Sequence, residues 1–323
     1  MYKCMFCGFE SDSMDDFEED FTSQNGFWCC YCDGFTPFTE NKRNSFFLLL
    51  EDPEKEESPQ TERRISHNIP SQVSPLRYPG GKSKVIDQIL TYCNQKNFEK
   101  WVEPYAGGAS VGLALLLAGY VKELYLNDID KGVYALFKVI CSDPEPLLYE
   151  IKHFRPSREA YKQAQKRMFT DYEGLDLQKM AITMLIVNRL SFSGICRANC
   201  MSNPAARWNP ETLIRRINQI HSCAGHIHVN CCDAPQYIEE MYWERETTIF
   251  IDPPYFRKGK QLYKHYYNRV DHDNLAFLLN ELYKGMPGAD IIVTYDYAEY
   301  IQNIYTWPQE FLVGRNYSIA NGQ

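Results

Sequence analysis

Trp101-Val102-Glu103-Pro104-Tyr105-Ala106-Gly107-Gly108-Ala109-Ser110 runs into an apolar stretch that ends at Ala118. After Gly119 the chain continues to Glu123-Leu124-Tyr125-Leu126-Asn127-Asp128. Residues 101–103 read as a short strand, 104–108 as a turn, 109–118 as an apolar helix and 123–126 as a second strand. Glycines in such a turn let the backbone approach a ligand closely. Asp128 stands at the next strand end, about twenty residues on, where a carboxylate holds the hydroxyls of a nucleoside ribose. The turn has neither a full G-x-G-x-x-G nor a G-K-[ST] ending, so a nucleoside without phosphates fits it better than a dinucleotide.

Outward from this unit the alternation continues. Helices are expected through much of 131–190. Ile227–Asn230 reads as a third strand ending near Asp233. Thr247–Ile251 is a fourth, running into Asp252-Pro253-Pro254-Tyr255, and Ile291–Thr294 is a fifth. Strands alternating with helices predict an α/β fold with a Rossmann-like parallel sheet. Ligands of such sheets bind beyond the carboxyl ends of the strands, so Asp128, Asp233 and Asp252 are expected to converge on one crevice.

The 323 residues suit one large domain and a small one, and 44 % hydrophobic residues suffice for a core. Residues 1–45 are rich in Cys, aromatic and acidic side chains. Residues 46–72 are taken as a linker, because 51–72 read EDPEKEESPQTERRISHNIPSQ, charged and poor in apolar side chains. The main domain is expected over 73–323, with a helical insert at about 145–226. Net charge is −8, but residues 151–230 carry 12 basic and 5 acidic side chains, net +7, whereas residues 1–70 are net −9. A local basic face, rather than the global sum, governs contact with a polyanion; a solvated helix surface is the plainer alternative. No apolar run approaches the ~18 residues of a membrane span, Phe46–Leu50 included, and the start lacks a signal-peptide pattern. The chain is therefore expected to be cytoplasmic, with no membrane partner.

Cys4-x-x-Cys7 and Cys29-x-x-Cys32 are separated by 21 residues. Two such pairs read as a Cys4 zinc ribbon with Cys4, Cys7, Cys29 and Cys32 as ligands, and a small acidic module has little core without the metal. Cys30 is a competing neighbour of Cys29, and a disulfide is the alternative that a cytosolic setting disfavours. A second group, Cys196, Cys200, His221, Cys223, His226, His228, Cys231 and Cys232, has the spacing of no standard metal site.

Four segments in order now carry a resemblance: Pro75-Leu76-Arg77-Tyr78-Pro79-Gly80-Gly81-Lys82, the turn at 103–111, Asn127-Asp128-Ile129-Asp130, and Asp252-Pro253-Pro254-Tyr255. Over about 73–320 the chain resembles the DNA adenine methylase family, the Dam-like D12 class of N6-adenine methyltransferases. The resemblance implies a class I methyltransferase sheet with a helical target-recognition insert. It implies S-adenosylmethionine as cofactor and double-stranded DNA as substrate. Tyr78, Lys82, Pro104, Tyr105, Gly107, Asp128, Asp233 and Asp252 would then lie on the cofactor. Asp252, Pro253, Pro254 and Tyr255 would act on the target base.

The chemistry of the tetrapeptide follows from its substrate. An aromatic amine is a poor nucleophile because its lone pair is delocalised into the ring. Asp252 and the Pro253 carbonyl would accept its hydrogens and free that pair, while Tyr255 would stack on a base flipped out of the duplex. Arg77, Arg189, Arg197, Asn199 and Arg207 are expected on the DNA, since Arg and Asn suit guanine and adenine edges. Similar methylases continue with a further strand after a turn like Asn321-Gly322, so a last strand is expected to be missing. An N4-cytosine or RNA amine methyltransferase, or an inactive remnant that binds DNA, are the competing readings.

Overall fold

The computed structural model describes residues 45–52, 69, 70, 72–78, 82, 86, 89, 90, 98–257 and 259–314, without the side chains of 52 and 312–314. Ahead of these it describes the backbone alone of five short strands, Tyr2–Lys3, Glu10–Ser11, Phe17–Glu19, Gly26–Cys29 and Phe35–Pro37, paired antiparallel in two small sheets. The side chains of the expected zinc module, Cys4, Cys7, Cys29 and Cys32, lie outside the described residues.

The main sheet has seven strands: β1 (Phe46–Asp52), β2 (Lys100–Glu103), β3 (Glu123–Asn127), β4 (Ile227–Asn230), β5 (Thr247–Ile251), β6 (Asp290–Asp296) and β7 (Gln309–Gly314). Their spatial order is β7-β1-β6-β5-β2-β3-β4, and every neighbouring pair is parallel. Strands β2 to β6 are the five read from the sequence. The other two were not foreseen.

β1 corrects the expected linker at its front end. Phe46, Leu48 and Leu50 are buried on one face of the sheet and Leu49 on the other, and β6 and β7 flank the strand on both edges. A strand covered on both faces reads as an unbroken apolar run without alternation. Five apolar residues are too few for a membrane span yet enough for an interior strand.

Alternation along the strands divides the core in two. Trp101, Leu124, Leu126, Phe250 and Ile292 face one side, where helices α1 (Ser110–Leu117), α2 (Lys131–Ser142) and, further on, α5 (Leu177–Leu190) and α6 (Pro210–His221) pack. Val102, Ile249, Ile251, Ile291 and Val293 face the other, against α7 (Ala234–Tyr242), α9 (Arg269–Lys284) and α10 (Glu299–Ile304). Successive strand residues point to opposite faces, so each strand serves both layers. A short helix, α8 (Gly259–Leu262), precedes α9.

Four helices stand between α2 and β4: α3 (Glu145–His153), α4 (Arg158–Phe169), α5 and α6. Local sequence starts them. Asp130, Ser157, Asp176 and Asn209 each accept a backbone N–H of the first turn of α2, α4, α5 and α6 respectively. α5 is buried from Ala181 to Leu190 because it is sandwiched between α2 and α4. Among the described residues no helix is long and apolar enough to cross a membrane.

Candidate active site

The turn after β2 is held by two hydrogen bonds, and a third braces the carboxylate that makes one of them. Ala106 N donates to Asn127 O at 2.9 Å, Gly107 N to Asp128 Oδ2 at 2.8 Å, and Asp130 N to Asp128 Oδ1 at 2.9 Å. Asp128 thus ties the turn to the end of β3. Gly107 has φ +47°, and a Cβ there would stand 3.5 Å from the Tyr78 ring. Glycine lets the aromatic ring lie directly on the turn in a conformation that L side chains rarely adopt. Below it Glu103 is buried, and its Oε1 accepts Gly112 N at 2.6 Å and Trp101 Nε1 at 3.0 Å.

Burial raises both carboxyl groups. Asp128 is pushed up to about 7 by desolvation and then by the neighbouring Asp130 charge, against the two backbone hydrogen bonds. Desolvation likewise takes Glu103 to about 7, opposed by its bonds to Gly112 and Trp101 and assisted by the Asp252 charge. Burial also holds the Tyr78 hydroxyl well above its ordinary value.

Asp252 follows β5 directly. Its Oδ1 accepts Lys82 Nζ at 2.6 Å and Thr294 Oγ1, from β6, at 2.8 Å. Lys82 is 1 % exposed in its side chain; it also donates to the Tyr255 hydroxyl at 2.8 Å and lies 3.4 Å from Glu51 Oε1. The Tyr255 hydroxyl donates to Glu51 Oε2 at 3.4 Å. Asp252 itself is 25 % exposed and faces a cavity of about 870 Å³ at the carboxyl ends of the strands.

All eight residues expected on the cofactor, Tyr78, Lys82, Pro104, Tyr105, Gly107, Asp128, Asp233 and Asp252, line this one cavity. Of its acidic members, Glu103, Asp128, Asp130, Asp233 and Asp252 come from strand ends and the turns that follow, and Asp271 from the first turn of α9. A second wall is basic. Arg77 precedes Tyr78, Arg189 ends α5 and Arg216 lies on α6, and all three line the cavity. Burial, and then Arg77, Arg216 and Arg207, bring Arg189 down to about 10. Arg189 Nε and Arg216 Nε find no hydrogen-bond partner among the described residues. The arginine wall is pinned by Asn188, which accepts Arg77 N at 2.7 Å and donates to Arg77 O at 2.8 Å. Gly194 packs so close that a Cβ would meet Arg77 O at 2.0 Å, at φ +78°.

Not every other expected site residue reaches the cavity. Pro254 lines the cavity; Pro253 and Tyr255 are buried beneath it. The Tyr255 ring is buried, meets Tyr263 edge-on at 6.2 Å and has the Lys82 ammonium at its hydroxyl end. Tyr263, Tyr266 and Tyr267 are the aromatic residues that reach the wall from that side. Arg197 is exposed, and its guanidinium donates to Tyr263 O at 3.1 Å and Lys264 O at 3.4 Å. Asn199 and Arg207 are exposed, and Arg207 stands near Arg77 and Arg189.

Among the described residues no group of three or more His, Cys, Asp or Glu side chains is arranged to hold a metal ion. His226 and His228 both engage Glu123, at 3.1 and 2.8 Å, and His221 meets Ile140 O at 2.7 Å.

Sequence reasoning missed Glu51, Thr294 and Asn188 as parts of the site. Thr294 carried a usable signal, as the last residue of an expected strand beside Asp252. Glu51 carried none once Phe46–Leu50 was assigned to a linker.

The profile of the family described as D12 class N6 adenine-specific DNA methyltransferase matches residues 78–319. The chain is 23 % identical over 243 residues to the Type II methyltransferase M.MjaIII of Methanocaldococcus jannaschii, covering 69 % of this chain and 83 % of that protein. It is 26 % identical over 192 residues to a DNA adenine methylase of Haemophilus influenzae, covering 56 % and 63 %. It is 25 % identical over 268 residues to a DNA N-6-adenine-methyltransferase of Escherichia phage P1, covering 78 % of this chain and a third of the phage protein.

Proposed function

The chain belongs to the D12 class N6 adenine-specific DNA methyltransferase family, and from that premise we propose that it methylates the N6 amine of an adenine flipped out of double-stranded DNA. The observation that carries the reading is Asp252, with Oδ1 saturated by Lys82 and Thr294 and the carboxylate facing the cavity. A carboxylate clamped through one oxygen keeps the other aimed at an incoming hydrogen-bond donor.

Membership of the family implies S-adenosylmethionine, and the residues present suit it. A cationic molecule with ribose hydroxyls and an amino-acid end matches a wall of Glu103, Asp128, Asp233 and Asp252. Tyr78 and the Gly107 turn would lie on its adenosine, and Asp128 would take its ribose hydroxyls. When bound, it supplies a methyl group on positively charged sulfur. Asp252 Oδ2 and the Pro253 carbonyl would accept the two amine hydrogens of adenine and draw the nitrogen toward tetrahedral geometry. Asp252 would take up one of those protons as the amine gains the methyl group that the bound sulfonium supplies.

The basic wall would take the DNA backbone beside the flipped nucleotide. Arg77 and Arg189, with Arg207 near them, bring positive charge to the acidic cavity from the side of the helical insert, which we assign to target recognition with Asn199. The two Cys-x-x-Cys pairs support a structural zinc in the front module. Incubating the full chain with labelled S-adenosylmethionine and duplex DNA, then analysing nucleosides, tests the activity. Label in N6-methyladenine is the expected result. Label in N4-methylcytosine, or transfer to RNA alone, would replace the reading, and no transfer would leave a DNA-binding remnant.

A further inference from the structure

β1 lies before the matched family segment, which begins at residue 78, yet its last buried side chain reaches the tetrapeptide. Glu51 is 2 % exposed, with one carboxylate oxygen 3.4 Å from Lys82 Nζ and the other 3.4 Å from the Tyr255 hydroxyl. The Lys82 ammonium therefore stands between two carboxylates, Glu51 beneath and Asp252 above, with the Tyr255 hydroxyl bridging the lower side. Burying an ammonium and a carboxylate is tolerable only when their partners are fixed in place. β1 supplies that fixation, because it is held on one edge by β6, which carries Thr294, and on the other by β7.

We propose that Glu51 is a positioning residue of the methyl-transfer site. It orients Lys82 and Tyr255 from below, so that Lys82 meets Asp252 Oδ1 and leaves Oδ2 to the substrate. Glu51 has a second consequence through charge. With it, the Glu51–Lys82–Asp252 group is net negative; without it, the lysine cancels Asp252 and weakens it as an acceptor for the amine. The catalytic unit then begins with β1, upstream of the segment that defines the family. The proposal rests on the methyltransferase reading for its turnover test, but its stability test does not.

The experiment is a double-mutant cycle in the full chain with Glu51→Gln, Lys82→Met and both together. Glu51→Gln is isosteric and removes the charge. It is expected to lower kcat about 10- to 100-fold, the loss of one charge-assisted hydrogen bond, with KM for DNA unchanged. Lys82→Met takes the ammonium away from the buried Glu51 carboxylate, so adding Glu51→Gln is expected to raise the melting temperature of Lys82→Met rather than lower it. A Glu51→Gln enzyme with wild-type kcat overturns the proposal. So does a cycle in which the two losses of melting temperature simply add. A wild-type chain that transfers no methyl to adenine refutes the functional reading, and the melting arm still decides whether Glu51 acts through Lys82.

Discussion

Lys82 Nζ stands 2.6 Å from Asp252 Oδ1 across 170 residues of sequence, and Thr294 Oγ1 reaches the same oxygen at 2.8 Å. Two donors on one oxygen orient the carboxylate and leave the other oxygen to the cavity. Neither donor is a sequence neighbour of the tetrapeptide they serve.

Asp252→Asn should therefore reduce methyl transfer by about 10²–10³ or more, the usual cost of losing a preorganised electrostatic group. Cofactor affinity should be weakened but measurable, because Tyr78, Gly107 and Asp128 remain. Thr294→Val is the milder companion, expected to cost about tenfold in kcat for one hydrogen bond. Steady-state kinetics on duplex DNA alongside calorimetric titration of cofactor separates the two effects. Unchanged turnover in Asp252→Asn would remove it from the chemistry.

Asp128 makes the free protein and the cofactor respond to pH in opposite directions. Its carboxyl is raised from 3.8 to about 7 in the folded chain. The stability it contributes is thus fully present below about pH 4 and is lost as pH rises through about 7. Ribose hydroxyls donate to the ionised form, so cofactor affinity should climb up to about tenfold from pH 6 to pH 8, as the ionised fraction does. Calorimetry at pH 7 in buffers of different ionisation enthalpy should register a proton released on binding. Glu103, also raised to about 7, adds in the same sense. Asp128→Asn should flatten the profile and reduce the released proton to the Glu103 share; an unaltered profile would exclude Asp128.

The arginines should separate by what they touch. Arg189, with a buried guanidinium whose Nε lacks a partner among the described residues, is expected to contact phosphate. Arg189→Ala should weaken DNA binding for every sequence and lower the salt slope by about one. Arg197 holds the carbonyls of Tyr263 and Lys264. Arg197→Ala should therefore lower activity while the methylated motif stays the same. A map of methylated adenines at fixed salt checks both, and a relaxed motif in Arg197→Ala would make it a base reader instead.

Purified chain should carry one zinc, released by thiol modification, if Cys4, Cys7, Cys29 and Cys32 act as a Cys4 site. Metal analysis of the wild type and of Cys7→Ser is the measurement. A metal-free protein with reactive front cysteines would leave the two Cys-x-x-Cys pairs without that role.

By itself the sequence determined the parallel α/β frame. The strand–turn–helix–strand unit at 101–128 and the strand running into Asp252-Pro253-Pro254-Tyr255 are local patterns, and strand ends in such sheets share one rim. That rule alone brings Asp128, Asp233 and Asp252 to one cavity. The positions it left to the tertiary structure are those without a local signature. Phe46–Asp52 is too short and too uniformly apolar to declare itself as a strand, and its place between β6 and β7 depends on both of its edges being paired and both faces buried. The Tyr255 ring, expected to stack on the base, is buried with its hydroxyl on Lys82 and Tyr263 edge-on to it. The guanidinium of Arg197, expected on a base, is engaged by two carbonyls 66 and 67 residues away. A polar side chain binds whichever complementary group lies within about 3 Å, and long-range packing alone decides which group that is.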